Sequence, residues 1–190
     1  MKILLLAPQP FYQERGTPIA VDLMVRLLSE RGHQIDLLVY HEGKDVQYPG
    51  VRLHRIPRPP LIHNVPPGFS LKKLVCDAFM FWHALTLAHR QRPDLIHAVE
   101  ESAFMAWVAR RWWGIPYVYD MDSSLPDQIV EKLPFLRPML PLLRGLIRPV
   151  LSNAVVLAPV CEALAETTGA TDPLSVVILR DVSLLEEGGS

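Results

Sequence analysis

The sequence is poor in cysteine, with two residues of this type, Cys76 and Cys161, among 190. They lie far apart in the chain and show no CxxC spacing. The N-terminus does not have the pattern of a signal peptide. Together these features favour reduced thiols in a cytoplasmic protein.

An excess of charge of one sign is also missing. The formal net charge is −1 and the sequence pI is about 6.6, which removes the electrostatic argument for a nucleic-acid partner. Acids are absent between Asp45 and Asp77, however, where the chain carries Arg52, Arg55, Arg58, Lys72 and Lys73. We expect a locally basic region there that suits a phosphate or an anionic surface.

Long hydrophobic runs are absent as well. The apolar run at residues 3–7 is too short for a signal peptide or a membrane span and is typical of a buried strand of a parallel sheet. Similar segments predict further strands at residues 34–40, 51–56, 94–98, 117–121, 154–158 and 176–179. Helical patterns lie between several of these strands. The alternation predicts one α/β domain, Rossmann-like and doubly wound, with a mainly parallel sheet of about seven strands.

Two predicted helices have clear signals. The first has Thr17 as its N-cap, Pro18 at its first position and Gly32 as its C-terminal stop. Its apolar positions are Ala20, Leu23, Met24, Leu27 and Leu28. The second covers residues 71–91. Its predicted apolar face consists of Leu74, Val75, Ala78, Trp82 and Leu85.

Ligands of doubly wound sheets bind beyond the carboxyl ends of the strands. The loops at residues 9–17, 99–102, 120–124 and 159–162 are therefore the predicted binding loops. Gly16 and Thr17 in the first loop are compatible with a tight turn before a helix or with backbone contact to a phosphate. A nicotinamide enzyme is disfavoured because no GxGxxG follows the first strand.

An ordered set of segments resembles the N-terminal domain of family 4 glycosyltransferases. The set begins with the strand at residues 2–6, Gly16 and the helix end at residues 27–33. It continues with residues 93–98, 114–119, 154–157 and 161–165. The resemblance implies one half of a GT-B fold, in which two Rossmann-like domains face each other and transfer a sugar from a nucleotide donor with retention at the anomeric carbon.

The resemblance also implies that the donor-binding C-terminal domain is absent. We expect residues 1–184 to form the acceptor-side domain and residues 185–190 to begin a linker or an added tail. Residues 176–184 resemble the family's exit strand, although Arg180 and Asp181 stand where Asn-Gly is usual. The expected acceptor is a glycan or a lipid-linked molecule, the nucleotide-sugar is a co-substrate rather than a cofactor, and the chain alone is expected to be inactive. The alternative is a non-catalytic sugar- or nucleotide-binding module or the partner subunit of a split glycosyltransferase.

The resemblance assigns roles to residues in the predicted binding loops. Arg15, Gly16 and Thr17 are expected at the donor diphosphate. Glu100 is expected to contact a hydroxyl or the donor sugar. His97 ends the fourth strand and is a further catalytic candidate, although Val99 stands where the family often has a second histidine.

Asp122 is expected to face the cleft, where relatives often carry histidine, as an acceptor-binding or base-like carboxylate. Asp120 and Asp122 also match a metal-binding DxD pattern, but alternate residues of a strand point to opposite faces, so no metal site is predicted. Asp120 is expected to cap or to pair with a neighbour. Cys161 stands where relatives have serine and is expected to cap a helix rather than to act as a nucleophile.

The leucine-rich segment at residues 136–151 contains Arg137, Arg144 and Arg148 on one helical face and no acid. This pattern suits peripheral contact with the inner face of the cell membrane. The alternative is a core helix with solvated arginines. Pro138, Pro141 and Pro149 argue against one straight helix.

Overall fold

The computed structural model describes residues 1–11, 16–60, 62–66, 70–169 and 175–179. Its centre is a six-stranded sheet in the order β3-β2-β1-β4-β5-β6, with every neighbouring pair parallel. The strands are β1 (Lys2–Ala7), β2 (Gln34–Val39), β3 (Val51–Arg55), β4 (Leu95–Val99), β5 (Tyr117–Met121) and β6 (Val156–Pro159). Because β4 lies beside β1, the winding direction reverses between these two strands, which confirms the doubly wound Rossmann-like fold.

Helices cover both faces of the sheet. They are α1 (Gly16–Glu30), α2 (Leu71–Gln91), α3 (Ala103–Trp113), α4 (Leu125–Lys132), α5 (Leu140–Asn153) and α6 (Glu162–Thr167). Alternate residues of β1 point to opposite faces. Leu4 and Leu6 pack in a core with buried residues of α2, α3 and α5. Leu5 packs in a second core with Val21 and Val25 of α1.

The predicted count of about seven strands is wrong by one within the described part of the chain. Val176 forms an isolated parallel bridge to Leu157. The amides of Val177 and Leu179 donate to the carbonyl oxygens of Leu157 and Pro159 at 2.8 and 3.0 Å. The segment at residues 175–179 therefore lies along β6, but it makes too few successive bridges to count as a strand.

The ends of the helices follow the local signals closely. Helix α1 begins at Gly16, so Thr17 is its second residue rather than the predicted N-cap, and Pro18 is its third residue rather than its first. A proline fits there because the amides of the first helical turn have no partner within the helix. Gly32 (φ 76°) and Gly114 (φ 71°) have the left-handed conformation that terminates α1 and α3, as predicted.

The buried face of α2 differs from the predicted one. Leu74, Val75 and Trp82 are exposed. The residues of α2 that are buried are Cys76, Met80, Ala84, Leu85 and Ala88. Three of these five have small side chains, which lets the helix approach the sheet closely. Leu85 is the one residue of the predicted face that is buried.

The proline-containing segment after β5 forms several short elements. Helix α4 is followed by a 3-10 helix (Pro134–Met139) and then by α5. Pro138 lies in the 3-10 helix, Pro141 in the first turn of α5, and Pro149 inside α5. In the part of the chain that the structure describes, no helix is long and apolar enough to cross a membrane.

Candidate active site at the carboxyl edge of the sheet

The N-terminus of α1 lies at the carboxyl edge of β1. Gly16 is its first residue, and Thr17 is its partly buried second residue. The first-turn amides of this 15-residue helix have no partner within the helix and carry the positive end of its dipole. This position suits an anion such as a diphosphate. Arg15, predicted to assist there, lies outside the described residues.

Glu100 directly follows β4 and begins a one-turn 3-10 helix (Glu100–Ser102). Its backbone has φ of 50°, in the left-handed region that a residue with a side chain seldom adopts. Its carboxylate lies 3.1 Å from the Nζ of Lys73 and is 16% exposed. A strained backbone held by a buried ion pair is a common property of binding and catalytic sites.

Lys73 also pairs with a second acid, Glu101, at 2.6 Å. It lies in the first turn of α2, where the Oγ of Ser70 caps the helix by accepting from the Lys73 amide at 3.1 Å. Asp77 lies one turn later in α2 and accepts a hydrogen bond from the hydroxyl of Tyr40, which directly follows β2. We call Lys73, Asp77, Glu100 and Glu101 the acidic cluster.

The protonation of the acidic cluster is shifted. Burial raises the pKa of Glu101 to about 8, and the nearby carboxyls of Asp77 and Glu100 add to the effect against the opposing Lys73. Burial also raises the pKa of Asp77 to about 6, although Tyr40 and Lys73 lower it. Burial lowers the pKa of Lys73, but Glu101 and Glu100 raise it by more, so the ammonium stays charged. One cation thus faces three carboxyls that do not all ionise at neutral pH.

His97 and Asp120 form a pair inside the sheet. The ring Nε2 of His97 lies 3.0 Å from Oδ2 of Asp120, on the neighbouring strand β5. The imidazole is 9% exposed. The geometry places His97 below the edge of the sheet and gives its ring a structural partner.

Asp122 lies one residue beyond β5 and is partly exposed. Val99 pairs with Asp120 in the parallel register, so Glu100 and Asp122 leave neighbouring strands at the same edge. Among the described residues, no group of three or more His, Cys, Asp or Glu side chains is placed to hold a metal ion.

Cys161 occupies the N-cap position of α6, but its thiol makes no capping hydrogen bond. It is exposed. The position expected from the sequence is therefore present, whereas the capping contact is not, because sulfur is a weak acceptor.

Acids from outside the basic stretch compensate much of its charge. Arg52 pairs with Asp36 at 2.9 Å, Arg55 pairs with Asp45 at 2.9 Å, and Lys73 belongs to the acidic cluster. Arg55 also donates to four carbonyl oxygens, those of Phe11, Tyr40, Glu42 and Lys44. Much of this stretch therefore binds the domain's own loops.

The sequence did not single out Lys73, Asp77 and Tyr40 as site residues, and it covered Glu101 only within the predicted binding loop at residues 99–102. Lys73 and Asp77 have the i, i+4 spacing that puts two side chains on one side of a helix near its start. That spacing was the available signal. Its significance depends on the position of α2 next to the end of β4, which the local sequence does not reveal.

A family profile described as "Glycosyl transferase 4-like domain" matches residues 15–173. No curated protein matched the sequence. Among solved structures, sucrose-phosphate synthase from Thermosynechococcus elongatus aligns with a TM-score of 0.58 and 17% identity, over 83% of this chain and 41% of that chain. Another structure of that protein gives a TM-score of 0.62 and 14% identity, over 95% of this chain and 88% of that chain.

MurG from Acinetobacter baumannii aligns with a TM-score of 0.54 and 14% identity, over 99% of this chain and 47% of that chain. At these identities the similarity shows the fold. The chain spans less than half of MurG and of the first sucrose-phosphate synthase structure.

Proposed function

Since this chain belongs to the glycosyl transferase 4-like family and has the Rossmann-like fold of one half of a GT-B protein, we propose that it is the acceptor-side domain of a retaining glycosyltransferase. The enzyme would transfer a sugar from a nucleotide-sugar to a glycan or a lipid-linked acceptor. A second domain would supply most of the nucleotide site. The observation that carries the proposal is the convergence of the α1 N-terminus, Glu100 and Asp122 at one edge of the sheet.

Glycosyl transfer breaks the bond between the anomeric carbon and the diphosphate oxygen and forms a bond to the acceptor oxygen. The departing diphosphate gains negative charge, which the amides of Gly16 and Thr17 would stabilise together with Arg15. Glu100 would hold a hydroxyl of the donor sugar or the acceptor. Asp122 would accept the proton that the acceptor hydroxyl loses.

His97 has a different role in this proposal. Its ring is held by Asp120 inside the sheet. We assign it a positioning role, in which the pair fixes the ends of β4 and β5 from which Glu100 and Asp122 project.

The test of this proposal is Glu100→Gln in the full-length protein that carries this domain. Glutamine keeps the size of the side chain, while Lys73 keeps Glu101 as its partner. We expect kcat/KM for transfer from a nucleotide-sugar to fall at least about tenfold, because a charged hydrogen bond to the reacting sugars is lost.

Glu30→Gln is the matched control, since Glu30 is exposed at the other end of α1. It should leave transfer unchanged. Wild-type rates of transfer in Glu100→Gln would show that Glu100 has no role in the site. A full-length protein that neither hydrolyses nor transfers from any sugar nucleotide would favour the binding-module alternative.

We also propose contact with a membrane surface, at the inner face of the cell membrane. The region from the 3-10 helix through α5 exposes apolar and basic side chains together. The exposed apolar residues are Phe135, Met139, Leu142 and Leu146, and the exposed arginines are Arg137, Arg144 and Arg148. Such a surface suits an anionic bilayer.

A further inference from the structure

A cavity of about 560 Å³ lies between α2, α3, α4 and α5, beside the carboxyl edge of the sheet. Much of its wall is apolar and consists of Phe104, Trp107, Ile129, Leu143, Leu146 and Ile147. Phe104 is 37% exposed and Leu146 is 60% exposed. The volume is in the range of sites that bind small organic ligands.

The acidic cluster contributes one patch of the cavity wall, through Lys73, Asp77 and Glu101. The ammonium of Lys73 already pairs with Glu100 and Glu101. A phosphate at this patch would meet the carboxylate of Asp77 beside a Lys73 ammonium whose charge Glu100 already balances, and the repulsion would be strong at a partly buried site. A neutral hydroxyl can instead donate a hydrogen bond to a carboxylate.

We propose that the cavity binds the apolar part of an uncharged acceptor, one hydroxyl group of which lies against Lys73, Asp77 and Glu101. The occupant is thus a neutral molecule with a hydrophobic chain or ring system, and a lipid phosphate is excluded by charge. That this molecule is the sugar acceptor rests on the proposed function. That the cavity binds a neutral amphiphile is independent of the proposed function.

The probes for the test are n-octyl β-D-glucoside and n-octyl phosphate, which share the apolar chain and differ in the charge of the head group. The 190-residue chain is titrated with each probe by isothermal calorimetry, below the concentration at which micelles form. We expect the glucoside to bind at least about tenfold more tightly than the phosphate. Equal affinities, or tighter binding of the phosphate, would overturn the proposal.

A blocking variant locates the binding. Gly145 lies on the cavity wall, and a Cβ added there meets nothing within 4 Å. The backbone at this position should therefore accept a side chain, and Gly145→Phe should narrow the cavity and weaken glucoside binding about tenfold. Leu142→Phe is the control on the same helix, because Leu142 is 56% exposed and lies outside the lining; its affinity should stay within about twofold of the wild type.

A charge variant tests the patch itself. The substitution Asp77→Asn should narrow the difference in affinity between the two probes, because it removes a carboxylate that repels a phosphate. An unchanged difference in affinity would show that the acidic cluster does not determine which of the two probes binds more tightly. Equal loss in Gly145→Phe and Leu142→Phe would place binding on the exposed surface of α5 and would also overturn the proposal.

The outcomes separate this proposal from the proposed function. If binding follows the pattern above but the full-length protein transfers no sugar, the proposed glycosyltransferase function alone is contradicted. If transfer by the full-length protein proceeds normally with the cavity blocked by Gly145→Phe, the role of the cavity as the acceptor site alone is contradicted.

Discussion

The carboxyl of Glu101 makes the stability of the domain depend on pH. Its pKa is about 8 in the folded protein against an ordinary value of 4.5, so the folded state keeps a proton that the unfolded state has released between these two values. The free energy of unfolding should therefore fall as pH rises through this window, and the contribution of Glu101 has a slope of at most about 1.4 kcal/mol per pH unit. The pKa of Asp77 is also raised, from 3.8 to about 6, so this carboxyl also lowers the free energy of unfolding as pH rises between these values.

Glu101→Gln should flatten this dependence, because glutamine does not titrate and Lys73 keeps Glu100 as its partner. The pH dependence of stability is measured by urea unfolding at about pH 5.5 and about pH 8. The difference between the urea midpoints at the two pH values should be smaller in the variant than in the wild type. Glu131→Gln, at an exposed position of α4, should keep the wild-type difference. If both variants keep it, the buried carboxyl of Glu101 is not its source.

The residues of the candidate site differ in how far the sequence reveals them. The loops that contain Glu100 and Asp122 were predicted because each follows a recognisable strand and strand ends in a parallel sheet share one edge, whereas the roles of the two residues came from the family resemblance. Lys73 and Asp77 lie on a helix whose sheet neighbours the sequence does not specify. The left-handed backbone of Glu100 has no sequence signal either, since it depends on the tertiary contacts around it.

At the scale of elements, helix ends were easier to predict than helix faces. Helix α2 has the predicted bounds, since its ends depend on local capping. Its buried face was predicted from the large apolar side chains, whereas the structure buries Cys76, Ala84 and Ala88 against the sheet. Helix α1 shows the same difference, because Val21 and Val25 form its buried centre and Leu27 is 42% exposed. Close packing against a sheet favours small and branched residues over the most hydrophobic ones.

The segment from the 3-10 helix through α5 carries a prediction of its own. Vesicles that contain anionic lipid should sediment the wild-type chain at low salt, because each exposed arginine contributes about 1 kcal/mol near such a surface. Changing Arg137, Arg144 and Arg148 to glutamate should abolish this binding. Vesicles of neutral lipid should sediment neither protein.

The matched control changes three exposed basic residues elsewhere to glutamate: Lys2, Arg31 and Arg111. This variant has the same net charge as the first triple variant, and it should retain most of the vesicle binding if the segment is the contact surface. Equal sedimentation of the two triple variants would mean that the three arginines of the segment have no special role.

At the scale of the whole molecule, the site is open on one side. The α1 N-terminus, Glu100 and Asp122 lie at the carboxyl edge of the sheet, and ligands of paired Rossmann-like domains bind between two such edges. The cavity beside the acidic cluster is built entirely from α2–α5 and the segments around them. Under the proposed function the two binding roles are divided: this domain would bind the acceptor by itself, whereas donor binding would require a second surface.

This division predicts that the 190-residue chain alone neither binds nucleotide-sugars tightly nor transfers their sugars. Calorimetry with a panel of uridine, guanosine and adenosine diphosphate sugars should give dissociation constants weaker than about 1 mM, because one helix N-terminus supplies little of the gross binding energy that a bound nucleotide needs. Octyl glucoside binding by the same preparation shows that the domain is folded and its cavity competent. Adding the donor-binding domain, in the same polypeptide, should then produce transfer that depends on Glu100. Turnover of a nucleotide-sugar by the isolated chain would contradict the division of labour, because it would require a complete donor site within these residues.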